Sequence, residues 1–176
     1  DAWFWGISIF NNRYENMIDF VYATPVKAVN REGVTANGLE YQFMWEPFEK
    51  LSINGNYAYL NMWDRGGEPI LYRSEHSGQL HLNFHLNTIN IQFGIKTWSE
   101  QSYYDFLDHL SPEEEKDKIL PSRIIQELIF SKVIGSFTGS LRISNLSDTQ
   151  YELIQDFPMP GRAWQLTLIK TITKGE

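Results

Sequence analysis

Cysteine is absent from this chain of 176 residues. That excludes a disulfide framework, a thiolate metal site and a thiol nucleophile. Long apolar runs are also missing: none reaches the roughly 18 residues that a membrane-spanning helix needs. Positive charge is in deficit, with 22 Asp and Glu against 15 Lys and Arg and a formal net charge of −7. A nucleic-acid partner is therefore not expected, because neutralising phosphates takes a basic patch. The N-terminal residues do not have the form of an export signal, since Asp1 leads directly into Trp3, Phe4 and Trp5. An exported protein of this kind must then have been processed, or this is the C-terminal piece of a longer one. Lack of a spanning helix leaves crossing by strands open, because in a barrel only alternate residues face lipid.

What is abundant is aromatic residues, 15% of the chain with six Trp and nine Tyr, and period-two alternation. Residues 2–12 alternate Trp3, Trp5, Ile7 and Ile9 against Phe4, Gly6, Ser8 and Phe10, and the strand is expected to continue irregularly to Tyr22. Residues 31–46 set Leu39, Tyr41, Phe43 and Trp45 against Glu40, Gln42 and Met44. Residues 50–63 set Leu51, Ile53, Tyr57 and Tyr59 against Ser52, Asn54 and Asn56. The cleanest pattern is in 74–87, where Leu80, Leu82, Phe84 and Leu86 oppose Gln79, His81, Asn83 and His85. Further strands are read over 89–98, 122–133, 137–147 and 162–173.

The connections alternate in length. Glu46–Glu49, Asn87–Thr88 and Ile134–Ser136 are short; 23–30, 64–73, 99–121 and 148–161 are long. Ser111, Pro112 and Glu114 have the form of a helix start with a capping box. About eight sequential antiparallel strands, with short turns on one side and long loops on the other, match an outer-membrane barrel. Trp3 and Trp45 fall near turn-side ends, and Trp63, Trp98 and Trp164 near loop-side ends, as two interfacial girdles would. The expected fold is all-β, an antiparallel up-and-down transmembrane barrel segment. Its apolar face would meet outer-membrane lipid and its polar face line the lumen, with Glu40, Gln42, Asn54, Asn56, Gln79, His81, Asn83, His85, Glu127 and Arg142 on the polar side. Lys170 falls on the apolar side near a strand end, where its stem can snorkel to the interface.

The stretch from Asn145 to Leu168 carries more than alternation. Asn145, Leu146, Asp148, Tyr151, Pro160, Gly161, Arg162 and Trp164 resemble the closing hairpin of TonB-dependent outer-membrane receptors. That pattern runs Asn-Leu, an aromatic, Asp and Tyr, then a short loop and Pro-Gly-Arg before an alternating last strand. Ser147 stands where the family usually has Phe or Tyr, and Gly38-Leu39-Glu40 is similar to a Gly-x-Glu strand of the same family. The resemblance implies that residues 1–176 are the C-terminal portion of a receptor barrel of about 22 strands, without its plug domain. It implies uptake of a scarce nutrient such as an iron-siderophore complex or cobalamin. The implied partners are the plug domain, the TonB complex reached through N-terminal parts, and a small-molecule ligand such as a metal chelate. It implies no enzyme, cofactor or resident metal. Two other architectures fit the same alternation: a complete eight-stranded membrane barrel with a structural or adhesive role, and a soluble lipocalin-like binding barrel.

Chemistry beyond the wall is sparse. His81 and His85 lie four apart in a strand, roughly 13 Å at about 3.4 Å per residue, too far for one metal. Ser74, Ser77 and His81 do not form a recognisable catalytic set. The run Glu113 to Lys118, with Asp105 and Asp108, reads as a solvated loop before it reads as a cation site. Tyr103, Tyr104 and Phe106 are candidates for stacking on a ligand from a long outer loop, or for anchoring that loop on the rim.

Overall fold

The computed structural model describes residues 2–21, 27–103 and 118–172. These residues hold strands and no helix. In chain order they are β1 (Ala2–Tyr14), β2 (Met17–Val21), β3 (Lys27–Arg31), β4 (Val34–Phe48), β5 (Leu51–Trp63), β6 (His76–Leu86), β7 (Ile89–Trp98), β8 (Gln101–Ser102), β9 (Ile119–Leu120), β10 (Arg123–Ile134), β11 (Phe137–Ser144), β12 (Glu152–Ile154), β13 (Phe157–Pro158) and β14 (Ala163–Lys170). Eight strands make one sheet in the order β1-β4-β5-β6-β7-β10-β11-β14, antiparallel throughout. The remaining six make the small hairpins β2–β3, β8–β9 and β12–β13, each carried within a long connection. The capping-box helix expected at Ser111 lies outside the described residues.

The turns follow from backbone chemistry. Asn87 and Gly135 sit at φ of 54° and 59°, the left-handed conformation that tight hairpins require and that Asn and Gly accept most readily. The expected turn at Glu46–Glu49 is corrected: β4 runs on through Phe48 and the turn is Glu49–Lys50. A register irregularity between Trp45 and Phe48 supplies the reason. It lets an odd-numbered and an even-numbered residue both join the apolar face, so the apolar pattern continues past Pro47. A second correction concerns 23–30, expected as a plain connection. Residues 27–31 pair with 17–21 as a hairpin, so Arg31 belongs to β3 and the long strand starts at Val34.

The registers stack the alternation into rows. Trp3, Trp45, Ile53, Leu82, Phe93, Leu128, Ile143 and Trp164 are successive partners on the apolar face. The row starts beside the turn-side end of β4 and finishes at the loop-side start of β14. Such a climb is what tilted, staggered strands produce. Among the described residues nothing covers the outer ends of this face: Trp3, Ile9, Leu166 and Leu168 are 70%, 78%, 81% and 71% exposed. An apolar surface of this extent facing water would be an aggregation site, whereas facing lipid it is the ordinary exterior of a barrel. Buried apolar residues instead gather toward the loop end, at Val34, Ala36, Ile70 and Leu120.

β1 and β14 stand at opposite edges of the sheet and do not pair. The closed eight-stranded barrel is thereby overturned, and the apolar face encloses no lipocalin-like cavity. Two girdle positions are corrected as well. Trp98 pairs with Ser77 and Arg123 on the polar face. Trp63 belongs to the row of Arg13 and Thr35, beyond the polar row Asn11–Asn37–Asn61. The loop-side edge of the apolar band is marked instead by Tyr57, Tyr59 and His76, where the Tyr57 hydroxyl meets His76 Nδ1 at 2.6 Å and the rings stack. Lys170 sits at the end of β14 with its ammonium 5.7 Å from the Phe137 ring, a cation–π contact that its long stem allows.

Candidate functional site: the polar face and its loop end

Pairing parity puts Glu40, Gln42, Asn54, Asn56, Gln79, His81, Asn83, His85, Glu127 and Arg142 on one face. Gln42, Asn56, Gln79 and Lys96 are direct cross-strand neighbours, as are Asn54, His81, Gly94 and Glu127. The side chains are mostly uncharged hydrogen-bonding groups, apt for a hydrated or exchangeable contact. One charge pair crosses the face: Arg142 Nε donates to Glu127 Oε2 at 2.6 Å. Asn83 Nδ2 donates to Ser52 Oγ at 3.4 Å. Hollows open on the same side. One of about 400 Å³ is bordered by Ser8, Glu40, Gln42, Asn56 and Ala58. Another of about 220 Å³ adds Phe4 and Met44 to Asn54, Gln79 and His81. Those two apolar side chains on the polar face were not among the candidates from alternation. No group of three His, Asp or Glu among the described residues is placed to hold a metal.

At the loop end, local chemistry replaces periodicity. Asp64 follows β5 and folds the 64–69 turn around its carboxylate. Its Oδ1 accepts from the amides of Gly66 at 2.9 Å and Glu68 at 3.0 Å, and its Oδ2 from Arg31 Nη1 at 3.0 Å. The Glu68 amide above all, with Gly66 and Arg31, holds this carboxyl below its ordinary range. Arg31 also meets Asp19 at 2.8 Å, tying the β2–β3 hairpin to this turn. Ile70 then turns inward, and the Tyr72 amide donates to the Ser102 carbonyl at 2.9 Å. A hollow of about 380 Å³ lies between these loops, bordered by Leu60, Met62, Ile70, Arg73, Ser102 and Ile119. The Tyr103 ring stands 6.5 Å from that of Tyr72, so it takes part in loop-to-loop packing. Tyr104, Phe106, Asp105, Asp108, His109 and the acidic run up to Asp117 lie outside the described residues.

The motif residues close the other side. Asn145 is 3% exposed with φ of 50°. Its Oδ1 accepts from the Thr149 amide at 2.9 Å, and its Nδ2 donates to the carbonyls of Thr149 at 2.9 Å and Pro160 at 3.3 Å. One side chain thus stitches the strand end to both arms of the loop. Asp148 Oδ1 accepts from the Arg162 amide at 2.6 Å. A Cβ on Gly161 would stand 2.6 Å from that same oxygen, so a larger residue there would push the Asp148 carboxylate away from the Arg162 amide. Arg162 Nε returns to the Leu146 carbonyl at 3.0 Å. Ser147, in the aromatic's place, donates to Gln126 Oε1 at 2.6 Å. Gly38 is likewise explained: the Phe10 ring occupies the space its Cβ would fill.

Arg123 escaped the sequence reading. It is 5% exposed, its Nη2 donates to Gln101 Oε1 at 3.2 Å, and its guanidinium lies 5.1 Å from the Trp98 ring. The only signal available in advance was parity, which places it on the face of Glu127.

A family model described as TonB dependent receptor-like, beta-barrel matches residues 1–119. The motif from Asn145 to Trp164 lies beyond that match. No curated protein sequence matches the chain. Among solved structures, FpvA of P. aeruginosa bound to heterologous pyoverdines superposes with a TM-score of 0.76 at 10% identity, over 94% of this chain and 24% of that one. The copper transporter OprC gives 0.76 at 14%, over 96% and 28%. The siderophore receptor PiuA from Acinetobacter baumannii gives 0.67 at 18%, over 94% and 26%. The chain spans about a quarter of the length of these structures. With a family model matching residues 1–119 and an open, one-layer sheet that exposes its apolar face, this chain belongs to the TonB-dependent receptor-like β-barrel family and is an outer-membrane protein.

Proposed function

We propose that this chain is the C-terminal portion of a larger receptor barrel, which imports a scarce nutrient such as a metal chelate across the outer membrane. The observation that carries the reading is the pair of unpaired edges, β1 and β14, on a sheet of this family. An open edge within lipid costs several kcal/mol per unpaired backbone group, so further strands must complete the wall. The closing-hairpin motif supports the C-terminal assignment. The polar face, with its amides and the Glu127–Arg142 pair, then lines the lumen against a plug domain supplied by other parts of the receptor. Energy comes from the TonB complex through those parts. The loops around 64–75, 99–121 and 145–162 form the surface-side entrance, with Tyr103, Tyr104 and Phe106 as ligand-contacting aromatics.

The relatives named above are titled as siderophore, pyoverdine and copper proteins, which supports a metal-bearing cargo. The test is uptake by cells carrying the full-length receptor, offered ferric siderophores, copper ions and cobalamin in turn. Accumulation of one of them that stops when TonB is removed is the expected result. Deleting residues 99–121 is expected to weaken ligand binding at the cell surface. Accumulation indifferent to TonB sinks the transport reading, and unchanged affinity after the deletion removes that loop from the entrance.

A further inference from the structure

Three asparagines lie side by side on the lipid-facing side of the wall. Asn11 of β1 is the partner of Asn37 of β4, and Asn37 is the partner of Asn61 of β5. Parity sets them on the face of Ile9, Leu39 and Tyr59, which form the row directly beneath; the row above holds Arg13, Thr35 and Trp63. On all three strands the apolar band therefore stops at the same step toward the loops, and a carboxamide follows. Asparagine is a poor strand former, and its side chain is costly inside hydrocarbon. The loop-side end faces the cell exterior, so the row lies at the level of the outer-leaflet headgroups. Part of it is ordered in advance, because Asn11 Nδ2 donates to Asn37 Oδ1. Each carboxamide has further donor and acceptor capacity beyond that one bond. Asn11 is exposed, and Asn37 and Asn61 are half-buried.

We propose that the Asn11–Asn37–Asn61 row binds the sugar headgroup of a glycolipid in the outer leaflet. The inference goes beyond the transport reading and does not depend on the cargo. Carboxamides carry donors and acceptors together, as sugar hydroxyls require. The Tyr59 and Trp63 rings on either side of Asn61 along β5 offer apolar faces to the C–H side of a pyranose. The acyl chains then follow the strands down over Ile9 and Leu39 and the next row, Ile7 and Tyr41. Charge argues against phosphate as the group recognised. The Arg13 guanidinium is 3.7 Å from the Glu15 carboxylate, and Arg31 is shared by Asp19 and Asp64. Where cations are already matched by carboxylates, an uncharged, hydroxyl-rich group is what the row can select.

The experiment equilibrates the full-length receptor in detergent with lipid and counts retained lipids by native mass spectrometry. The two probes are monogalactosyl diacylglycerol and phosphatidylglycerol with the same acyl chains. Wild type is expected to retain the galactolipid about five- to tenfold better, the worth of a net hydrogen bond. Asn37→Leu, which breaks the row at its centre, is expected to remove that preference. Should this variant fail to fold, Asn61→Leu decides: it leaves the bond between Asn11 and Asn37 in place and is expected to lower the preference at least about twofold. Equal retention of the two lipids by wild type, a preference for phosphatidylglycerol, or an unchanged preference in either folded variant overturns the proposal. Uptake is a separate readout. Galactolipid preference without TonB-dependent uptake sinks the transport reading alone; uptake without the preference sinks the glycolipid site alone.

Discussion

Between β4 and β7 the sheet is held by backbone ladders, and its side chains follow parity, with apolar groups on one face and amides, His81 and His85 on the other; Met44, Trp98 and His76 are among the exceptions. At the loop end of the same strands, single side chains decide the structure. Asn145 ties three segments, Asp64 gathers two amides and an arginine, and Arg123 sits buried against Gln101 and Trp98. The contrast has a physical cause. Inside the wall, between its two edge strands, the backbone groups are paired in ladders, so a side chain needs only the right polarity for its face. In the loops backbone groups have no ladder, and specific side chains must supply the hydrogen bonds.

If that contrast holds, the wall should respond to polarity and the loop end to identity. The largest effect is expected for Leu82→Arg, which places a charge on the apolar face and should cost about 2–4 kcal/mol near mid-membrane. Asn83→Arg, one residue away on the polar face, should cost much less. Urea unfolding of the full-length receptor in vesicles compares them, and equal costs would remove the facing assignment. Nitroxide probes at the same two positions give an independent check, with lipid accessibility expected only at residue 82.

Next in size is Asn145→Ala. It removes the partner of two part-buried carbonyls and an amide and puts a Cβ residue without a compensating side chain at positive φ, for about 1–3 kcal/mol. Asn145→Asp, which keeps the Thr149 amide bond and loses the two donations, should fall between wild type and alanine. A loss no greater for alanine than for aspartate would mean that the stitch is not what holds the loop.

The Glu127–Arg142 pair should matter little in an open, hydrated wall. A double-mutant cycle to Gln at both positions is expected to give a coupling under about 1 kcal/mol. A markedly larger value would show that this part of the polar face is sealed from water.

The smallest effect is a pH response. The Asp64 carboxyl is lowered in the folded state from its ordinary 3.8. Its stabilisation of the 64–69 turn is therefore fully present above that value and is lost as pH falls through the lower folded one. Amide exchange in this turn should stay protected down to about pH 4 and rise on further acidification. Asp64→Asn should flatten that response, and an unaltered acid profile in the variant would assign the response to another group.

Legibility in the sequence followed the same divide. Residues 89–98 were read as a strand with the bounds that the structure gives, because alternation there is uninterrupted and Asn87 marks the turn. Glu46–Glu49 misled because Pro47 looks like a turn, yet the irregularity at Trp45–Phe48 keeps the apolar face in phase. Trp98 and Trp63 were assigned to a girdle by chain position alone. Their actual places depended on parity and on a polar row of asparagines beneath Trp63, and only strand pairing aligns that row. The β2–β3, β8–β9 and β12–β13 hairpins had no alternation long enough to read. Arg123 looked like one more polar-face residue until Trp98 and Gln101 were brought against it.

The sequence by itself determined the two-faced strand pattern, the long-and-short rhythm of connections and the closing motif. These are local properties: side-chain direction has a period of two, and Asn, Asp and Gly set turns within a few residues. Tertiary structure decided whether the sheet closes, which rows meet lipid and which group is left as a buried charge. Those outcomes depend on register between strands distant in the chain, and on loops packing from separate connections. β1 and β14 each look like any other strand of the wall; only their place at the two edges shows that the sheet does not close on itself.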